Sequence, residues 1–208
     1  MMGDAASPID PAAPPAPRPG VWAAWLVLGA VGLLLVGALG GATLCGRPGP
    51  ASDAVPAFDV IRGAPTPAAE FTIRDLDGRS VSLQEFRGRV VLLNFWATWC
   101  APCREEIPAM QTLARDLGPQ GLVVLAVNYE EDAETVQAFV RDTALGLPVL
   151  LDRDGAVARR YRVAGLPTSF FIDRRGAVVG SVIGFRDWAA PPAQAYVRGV
   201  LGAAAQGS

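Results

Sequence analysis

Residues 90–103 read Val90-Val91-Leu92-Leu93-Asn94-Phe95-Trp96-Ala97-Thr98-Trp99-Cys100-Ala101-Pro102-Cys103. The first seven are apolar except for Asn94 and contain no Gly or Pro, the pattern of a β-strand covered on both faces. Beyond the cysteines, Ile107, Met110, Leu113 and Leu117 recur at spacings of three, three and four, the period of an amphipathic helix. The two cysteines therefore fall where a buried strand hands over to a helix, on the helix's first turn. There the leading sulfur meets N–H groups without intrahelical partners and the positive end of the helix dipole, both of which favour an anion. A free thiol titrates near 8.5, and such settings lower it to about 3.5–7.5. Cys100 is thus expected to be a nucleophile, and Cys103, one turn deeper, the thiol that resolves a mixed disulfide. Pro102 suits a first turn because its absent N–H would have no partner there. Trp99 places a flat apolar surface beside the reactive sulfur. Pro108, inside the helix, predicts a kink.

Working outward, Phe71–Arg74 and Ser80–Leu83 flank Asp77-Gly78 and read as a hairpin. Leu122–Val127 is a second buried strand, and Asp132 caps a helix with Val136, Phe139 and Val140 on its inner face. Pro148–Leu151 reads as a short strand and Ala156–Tyr161 as a short helix. Ser169–Ile172 and Ala177–Val179 pair around Asp173-Arg174-Arg175-Gly176, and Trp188–Leu201 closes the chain as a helix with Pro191 and Pro192 in its first turn. This order predicts an α/β sandwich with a mixed sheet over residues 67–204.

The 208 residues carry a formal charge of −2, and hydrophobic residues make up 51%. That balance gives no electrostatic case for nucleic acid. All 18 basic residues are arginine and histidine is absent, which excludes an imidazole base, a Schiff-base lysine and a phosphate-loop lysine. With Cys45 the only other cysteine, four ligands for zinc cannot be assembled within the chain, so neither a metal nor a cofactor is expected. Residues 1–20 are rich in proline and alanine and cannot bury a core. Residues 21–45 contain no charge, and about 24 helical residues span roughly 36 Å, enough for a transmembrane anchor. Trp22 and Trp25 sit near its first boundary, as interfacial indoles do. The run exceeds the apolar region of a cleavable signal, so an uncleaved anchor is expected. Leu44 immediately before Cys45 argues for an inert boundary thiol rather than a lipid attachment site. Residues 46–66 form a Gly/Pro/Ala linker. Arg18 and Arg47 flank the span nearly symmetrically and leave its orientation unspecified.

The Trp99–Cys103 segment after Asn94-Phe95-Trp96-Ala97-Thr98 resembles the active site of the thioredoxin fold. Val163-Ala164-Gly165-Leu166-Pro167-Thr168-Ser169-Phe170-Phe171-Ile172-Asp173 is similar to the loop in which that family carries a cis proline. Cys103-Arg104-Glu105-Glu106-Ile107-Pro108 narrows the resemblance to the membrane-anchored TlpA/ResA-like oxidoreductases, related to the AhpC/TSA redoxins. The resemblance implies a three-layer thioredoxin-like sandwich with a mixed central sheet, an N-terminal hairpin and a central insertion over about 132–151, preceded by the transmembrane helix. It implies that Pro167 is cis, and that Leu166, Pro167 and Trp99 contact substrate. Glu106, on the same helix side as Cys103, is the candidate to move the resolving thiol's proton. It further implies a single-pass protein of the cytoplasmic membrane, with its catalytic domain facing the periplasm or cell exterior. Its work would be to reduce disulfides of client proteins such as apocytochrome c, and a membrane thiol donor would recharge it.

One departure stands out. Cytosolic thioredoxins carry an aspartate where this chain has Asn94, and partner it with a lysine that is absent here. Two other functions remain in view: a peroxiredoxin-like peroxidase, which would want threonine where Ala97 stands, and a non-catalytic binding module. Asp152-Arg153-Asp154-Gly155 reads as a turn rather than a calcium loop. Arg159, Arg160 and Arg162 read as a solvated helix face, Glu105 as a first-turn acid favoured by the dipole, and Glu130, Glu131 and Asp132 as loop charge.

Overall fold

The computed structural model describes residues 58–205. The Pro/Ala-rich segment 1–20, the anchor 21–45 with Cys45, and the linker up to residue 57 lie outside the described residues. Among those described, no helix is long and apolar enough to cross a membrane.

Eight strands and four α-helices follow in the order β1 (Thr66–Pro67), β2 (Thr72–Asp75), β3 (Ser80–Ser82), β4 (Val90–Trp96), α1 (Ala101–Leu117), β5 (Leu122–Tyr129), α2 (Ala133–Thr143), β6 (Val149–Asp152), α3 (Ala156–Arg160), β7 (Thr168–Ile172), β8 (Ala177–Ile183) and α4 (Pro191–Ala205). They build one mixed sheet in the order β1-β8-β7-β4-β5-β6-β2-β3. β4, β5 and β6 are parallel neighbours, while β7 runs antiparallel to β4 with Asn94 opposite Ser169 and Phe95 opposite Thr168.

Every residue of β4 is buried, and its alternation sorts the core into two layers. Val90, Leu92 and Trp96 face the side covered by Ile107, Met110, Leu113 and Leu117 of α1, Val136 of α2 and Val197 and Leu201 of α4. Val91, Leu93 and Phe95 face Val157 and Ala158 of α3 and Phe71 and Leu83 of the N-terminal part. The same period of two turns Asn94 toward α1, which decides the chemistry below.

The hairpin of β2 and β3 forms as its pattern predicts, with Thr72 opposite Ser82. Asp75 closes its turn by accepting from the backbone N–H groups of Asp77 and Arg79 at 3.0 and 2.8 Å. Gly78 supplies the left-handed residue at φ 79°. α1 continues through Pro108 without interruption. The inserted α2 and β6 fall between the second parallel strand and the late proline loop, as expected.

Two boundaries differ from the sequence reading. The fold reaches back beyond residue 67: Phe58 packs its ring at 5.6 Å from Trp188 and 5.7 Å from Tyr196, and Ile61 bridges to Ser181. An apolar residue in a Gly/Pro/Ala stretch gives no periodicity from which such docking can be read. The last helix starts at Pro191, three residues after Trp188, because adjacent prolines fit only the first helical turn. Trp188 is instead a buried residue of the preceding loop. The Asp152–Gly155 turn forms as read, closed by the Gly155 N–H donating to the Asp152 carbonyl at 3.1 Å, and the Asp152 side chain adds a role the pattern does not show. It is buried, and its carboxylate accepts from the N–H groups of Val157 at 3.0 Å and Ala158 at 2.8 Å, at the start of α3.

Asp152→Ala therefore leaves two buried helix-terminal donors without an acceptor and is expected to destabilise the domain by about 3 kcal/mol. Urea denaturation checks this. An unfolding free energy unchanged within about 0.5 kcal/mol would show that α3 does not need its cap.

Candidate active site

Cys100 occupies the N-cap of α1 in an extended conformation, and its Sγ accepts from the backbone N–H of Cys103 at 3.3 Å. The two sulfurs are joined as a disulfide with their Cα atoms 5.3 Å apart. Access is unequal: Cys100 is 5% exposed and Cys103 is fully buried. A partner arriving from solvent can therefore reach only the first sulfur. The helix-terminal N–H that points at it is the donor that would stabilise a thiolate after reduction. Trp99, 67% exposed, stands beside it as an apolar surface open to a partner.

Glu106 lies one turn below Cys103 and is 2% exposed. Its Oε1 accepts from the Asn94 amide at 2.8 Å, and its Oε2 accepts from the indole N–H of Trp188 at 3.1 Å and from the backbone N–H of Arg186 at 3.2 Å. The second amide hydrogen of Asn94 goes to Ser169 Oγ at 3.0 Å. Burial disfavours the charge and pushes this carboxyl from its ordinary 4.5 up to about 7, while the three donors and the Arg186 charge hold it back from going further. The departure at position 94 now has a physical reason. An aspartate there would set a second carboxylate against the first at hydrogen-bond distance, whereas Asn94 donates to it. A single buried acid that titrates close to neutrality, one turn from the resolving sulfur, is suited to proton transfer.

The loop between β4 and α1 has its own brace. Glu131 was read as loop charge, yet its carboxylate accepts from the Thr98 N–H at 2.7 Å, from the Thr98 hydroxyl, and from the Asn128 amide at 2.6 Å. Trp96 pairs with Asn128 in the parallel register, so the ends of β4 and β5 meet here. Thirty-three residues separate Glu131 from Thr98, and only knowledge of that register could have revealed the contact. Glu105 is exposed, in keeping with its reading as a solvated acid. Arg160, by contrast, reaches back to the Glu70 carbonyl at 2.9 Å.

The Leu166–Pro167 peptide is cis, as the resemblance implies. Pairing of Phe95 with Thr168 brings this loop beside the end of β4 from which the dithiol hangs. Pro167 is buried, its carbonyl accepts from Gly184 N–H at 2.8 Å, and half-buried Leu166 packs against both core layers.

The profile of the AhpC/TSA family matches residues 64–181. The chain belongs to the AhpC/TSA family. Among relatives of this AhpC/TSA protein, the thiol-disulfide oxidoreductase ResA of Bacillus thuringiensis subsp. konkukian is 38% identical over 117 residues, which covers 56% of this chain and 68% of the relative. ResA of Geobacillus thermodenitrificans is 41% identical over 117 residues, covering 56% and 67%. The crystal structure of a thiol:disulfide interchange protein of the thioredoxin family from Chlorobium tepidum TLS matches with a TM-score of 0.60 at 30% identity, over 68% of this chain and all of that one. With the Cys100–Cys103 pair at the helix start, this family member is a thiol–disulfide oxidoreductase on a thioredoxin-like fold.

Glu106 sets a pH signature. Its folded value of about 7 exceeds the ordinary 4.5, so the native state holds this proton more tightly than the unfolded chain. The resulting stabilisation is complete below about 4.5, falls as pH rises, and is gone above about 7. Comparing oxidised wild type with oxidised Glu106→Gln in urea at pH 4.5 and pH 8, the wild type should lose about 3 kcal/mol more across the interval. Parallel pH profiles would mean that this carboxyl titrates normally.

Proposed function

We propose that the protein is a membrane-tethered, extracytoplasmic reductant of client-protein disulfides, with apocytochrome c as the client class and a membrane thiol carrier as its own electron donor. The observation that carries the direction of attack is the unequal access of the two sulfurs. In the reduced enzyme the Cys100 thiolate attacks one sulfur of a client disulfide, forming a mixed disulfide and releasing one client thiolate. The buried Cys103 thiol then gives its proton to the Glu106 carboxylate. Its thiolate attacks Cys100 Sγ, the second client thiolate leaves, and the Cys100–Cys103 disulfide remains. Two electrons have passed from enzyme to client, and the oxidised form described above is the product state.

Trp99, Leu166 and Pro167 are the residues proposed to hold the client. Trp99 offers an exposed ring, and the cis-proline loop lies beside the strand end that carries the dithiol. A uncharged stretch at 21–45 long enough to span a bilayer supports the tether. The resemblance to ResA-type proteins supports the reducing direction and the cytochrome client, whose haem-attachment sequence Cys-X-X-Cys-His presents a matching pair of thiols. A peroxidase reading finds less support: buried Ala97 brings no hydroxyl toward the sulfur, and the Thr98 hydroxyl is committed to Glu131.

Cys103→Ser should accumulate mixed disulfides through Cys100 with an oxidised Cys-X-X-Cys-His peptide, whereas Cys100→Ser should form none, as read by non-reducing mass spectrometry. The wild-type couple should equilibrate close to thioredoxin's potential of about −270 mV. A value near −120 mV would make the protein an oxidant and reverse the assignment.

A further inference from the structure

Trp188 is 1% exposed, and packing rather than secondary structure fixes its place. Pro191 and Pro192 hold back the start of α4 and leave this residue in the connection from β8. Its ring meets Phe58 at 5.6 Å and Phe171 at 6.1 Å, both edge to face. From that cage the indole N–H reaches Glu106 Oε2 at 3.1 Å. The fold does not require every buried indole to be paired: the N–H of Trp96, on a fully buried side chain, has no partner. The bond from Trp188 therefore has to be explained by what it does to Glu106.

Each oxygen of a carboxyl group offers two acceptor positions. On Oε2 both are taken, by the Trp188 indole and by the Arg186 backbone N–H at 3.2 Å. On Oε1 one is taken, by the Asn94 amide at 2.8 Å. None of these three groups can turn round and accept: an indole N–H and a backbone N–H only donate, and the Asn94 nitrogen already spends its other hydrogen on Ser169. A proton arriving at Glu106 without breaking a bond has one place to go, the open position on Oε1. The charged or titratable neighbours are few. Cys103 lies three residues away on the same helix, and Arg186 presents a charge that it shares with Asp59 at 3.8 Å. Tyr196 of α4 carries its hydroxyl to Gly180 instead. Asn94, Ser169 and Trp188 are neutral.

We propose that Trp188 is a positioning residue of the dithiol reaction: with the Arg186 N–H it fills both acceptor positions of Glu106 Oε2 and so directs the Cys103 proton to Oε1. This role rests on Glu106 being the acceptor of that proton, as proposed for the exchange with a client. The S–H bond of Cys103 breaks and an O–H bond forms at Oε1. The electron pair left on the sulfur attacks Cys100 Sγ, and the client thiolate leaves. Without the indole, an acceptor position opens on Oε2, so the proton has two oxygens to choose from, and the carboxylate loses one of its three donors. Both changes act on the acid alone, and the second raises its proton affinity.

The test uses the full-length chain. Reduced protein is mixed with an oxidised Cys-X-X-Cys-His peptide and acid-quenched at intervals, and the decay of the Cys100 mixed disulfide is followed by mass spectrometry from pH 5 to 9. Trp188→Phe keeps a ring between Phe58 and Phe171 but removes the N–H. It should shift the profile upward by about one pH unit, so that decay is about fivefold slower than wild type at pH 7 and equal to it at pH 9. Slowing by the same factor at every pH is the mark of a merely structural residue and would overturn the proposal. A second measurement needs no substitution at position 188. In the oxidised wild type the Trp188 indole N–H resonance should move with a midpoint of about pH 7, and in Glu106→Gln it should stay still; an indole that does not move in the wild type overturns the proposal. Glu106→Gln also separates the two layers of the argument. Mixed-disulfide decay unchanged in Glu106→Gln removes Glu106 as proton acceptor, and the role of Trp188 with it. A profile flattened by Glu106→Gln but left untouched by Trp188→Phe overturns the role of Trp188 alone.

Discussion

A single buried carboxylate ties the chemistry of this protein to its fold. Glu106 on α1 is held by Asn94 from β4 and by Arg186 and Trp188 from the segment between β8 and α4. Three stretches distant in the chain thus converge on two oxygen atoms. The cost of burying a charge is met by three directed donors, and the balance leaves the group titrating near neutrality rather than far above it. Remove any of the three donors and the balance shifts toward the protonated form, because desolvation is the largest influence and acts alone in that direction.

The strand-to-helix hand-over explains why such a group can sit beside a reactive dithiol. β4 is buried on both faces, so its end is positionally rigid. Cys100 takes the N-cap, where extended backbone meets the first helical turn, and inherits a donor from Cys103 without any side chain having to approach. Cys103 and Glu106 then follow on one side of the same helix. The Thr98 brace from Glu131 fixes the loop between strand and cap. The donor at the Cys100 sulfur and the burial of Glu106 one turn beyond Cys103 are consequently both products of local helix geometry, anchored by a long-range sheet register.

That division also explains what could be read from the chain in advance. The strand, the helix and the placement of Cys100, Cys103 and Glu106 along one side of its first turns follow from periodicity and from offsets of three, all short-range information. The cis peptide before Pro167 came from resemblance, not from physics visible in the residues. The bonds of Glu131 to Thr98 and Asn128 are not legible because they are set by the parallel pairing of β4 with β5. The turn at Asp152 is legible, but its carboxylate's bonds to N–H groups five and six residues ahead are not, because in sequence it looks like any acidic turn residue. Trp188 was placed inside a helix because its spacing to later apolar residues fits one. The two prolines after Ala190 instead delay the helix and free the indole to reach Glu106. Local pattern gave the elements, while the contacts between elements required the topology.

The segment that carries Trp188 has a second consequence. Gly184 N–H donates to the Pro167 carbonyl at 2.8 Å, and two residues later the Arg186 N–H donates to Glu106. The cis-proline loop and the buried carboxylate are therefore joined by a covalent path of two residues, closed at both ends by backbone hydrogen bonds. The Arg186 donor is one of the groups that hold the carboxyl's proton affinity down, so the segment that meets the proline loop also helps set the state of Glu106. One short piece of backbone thus bonds to both sites.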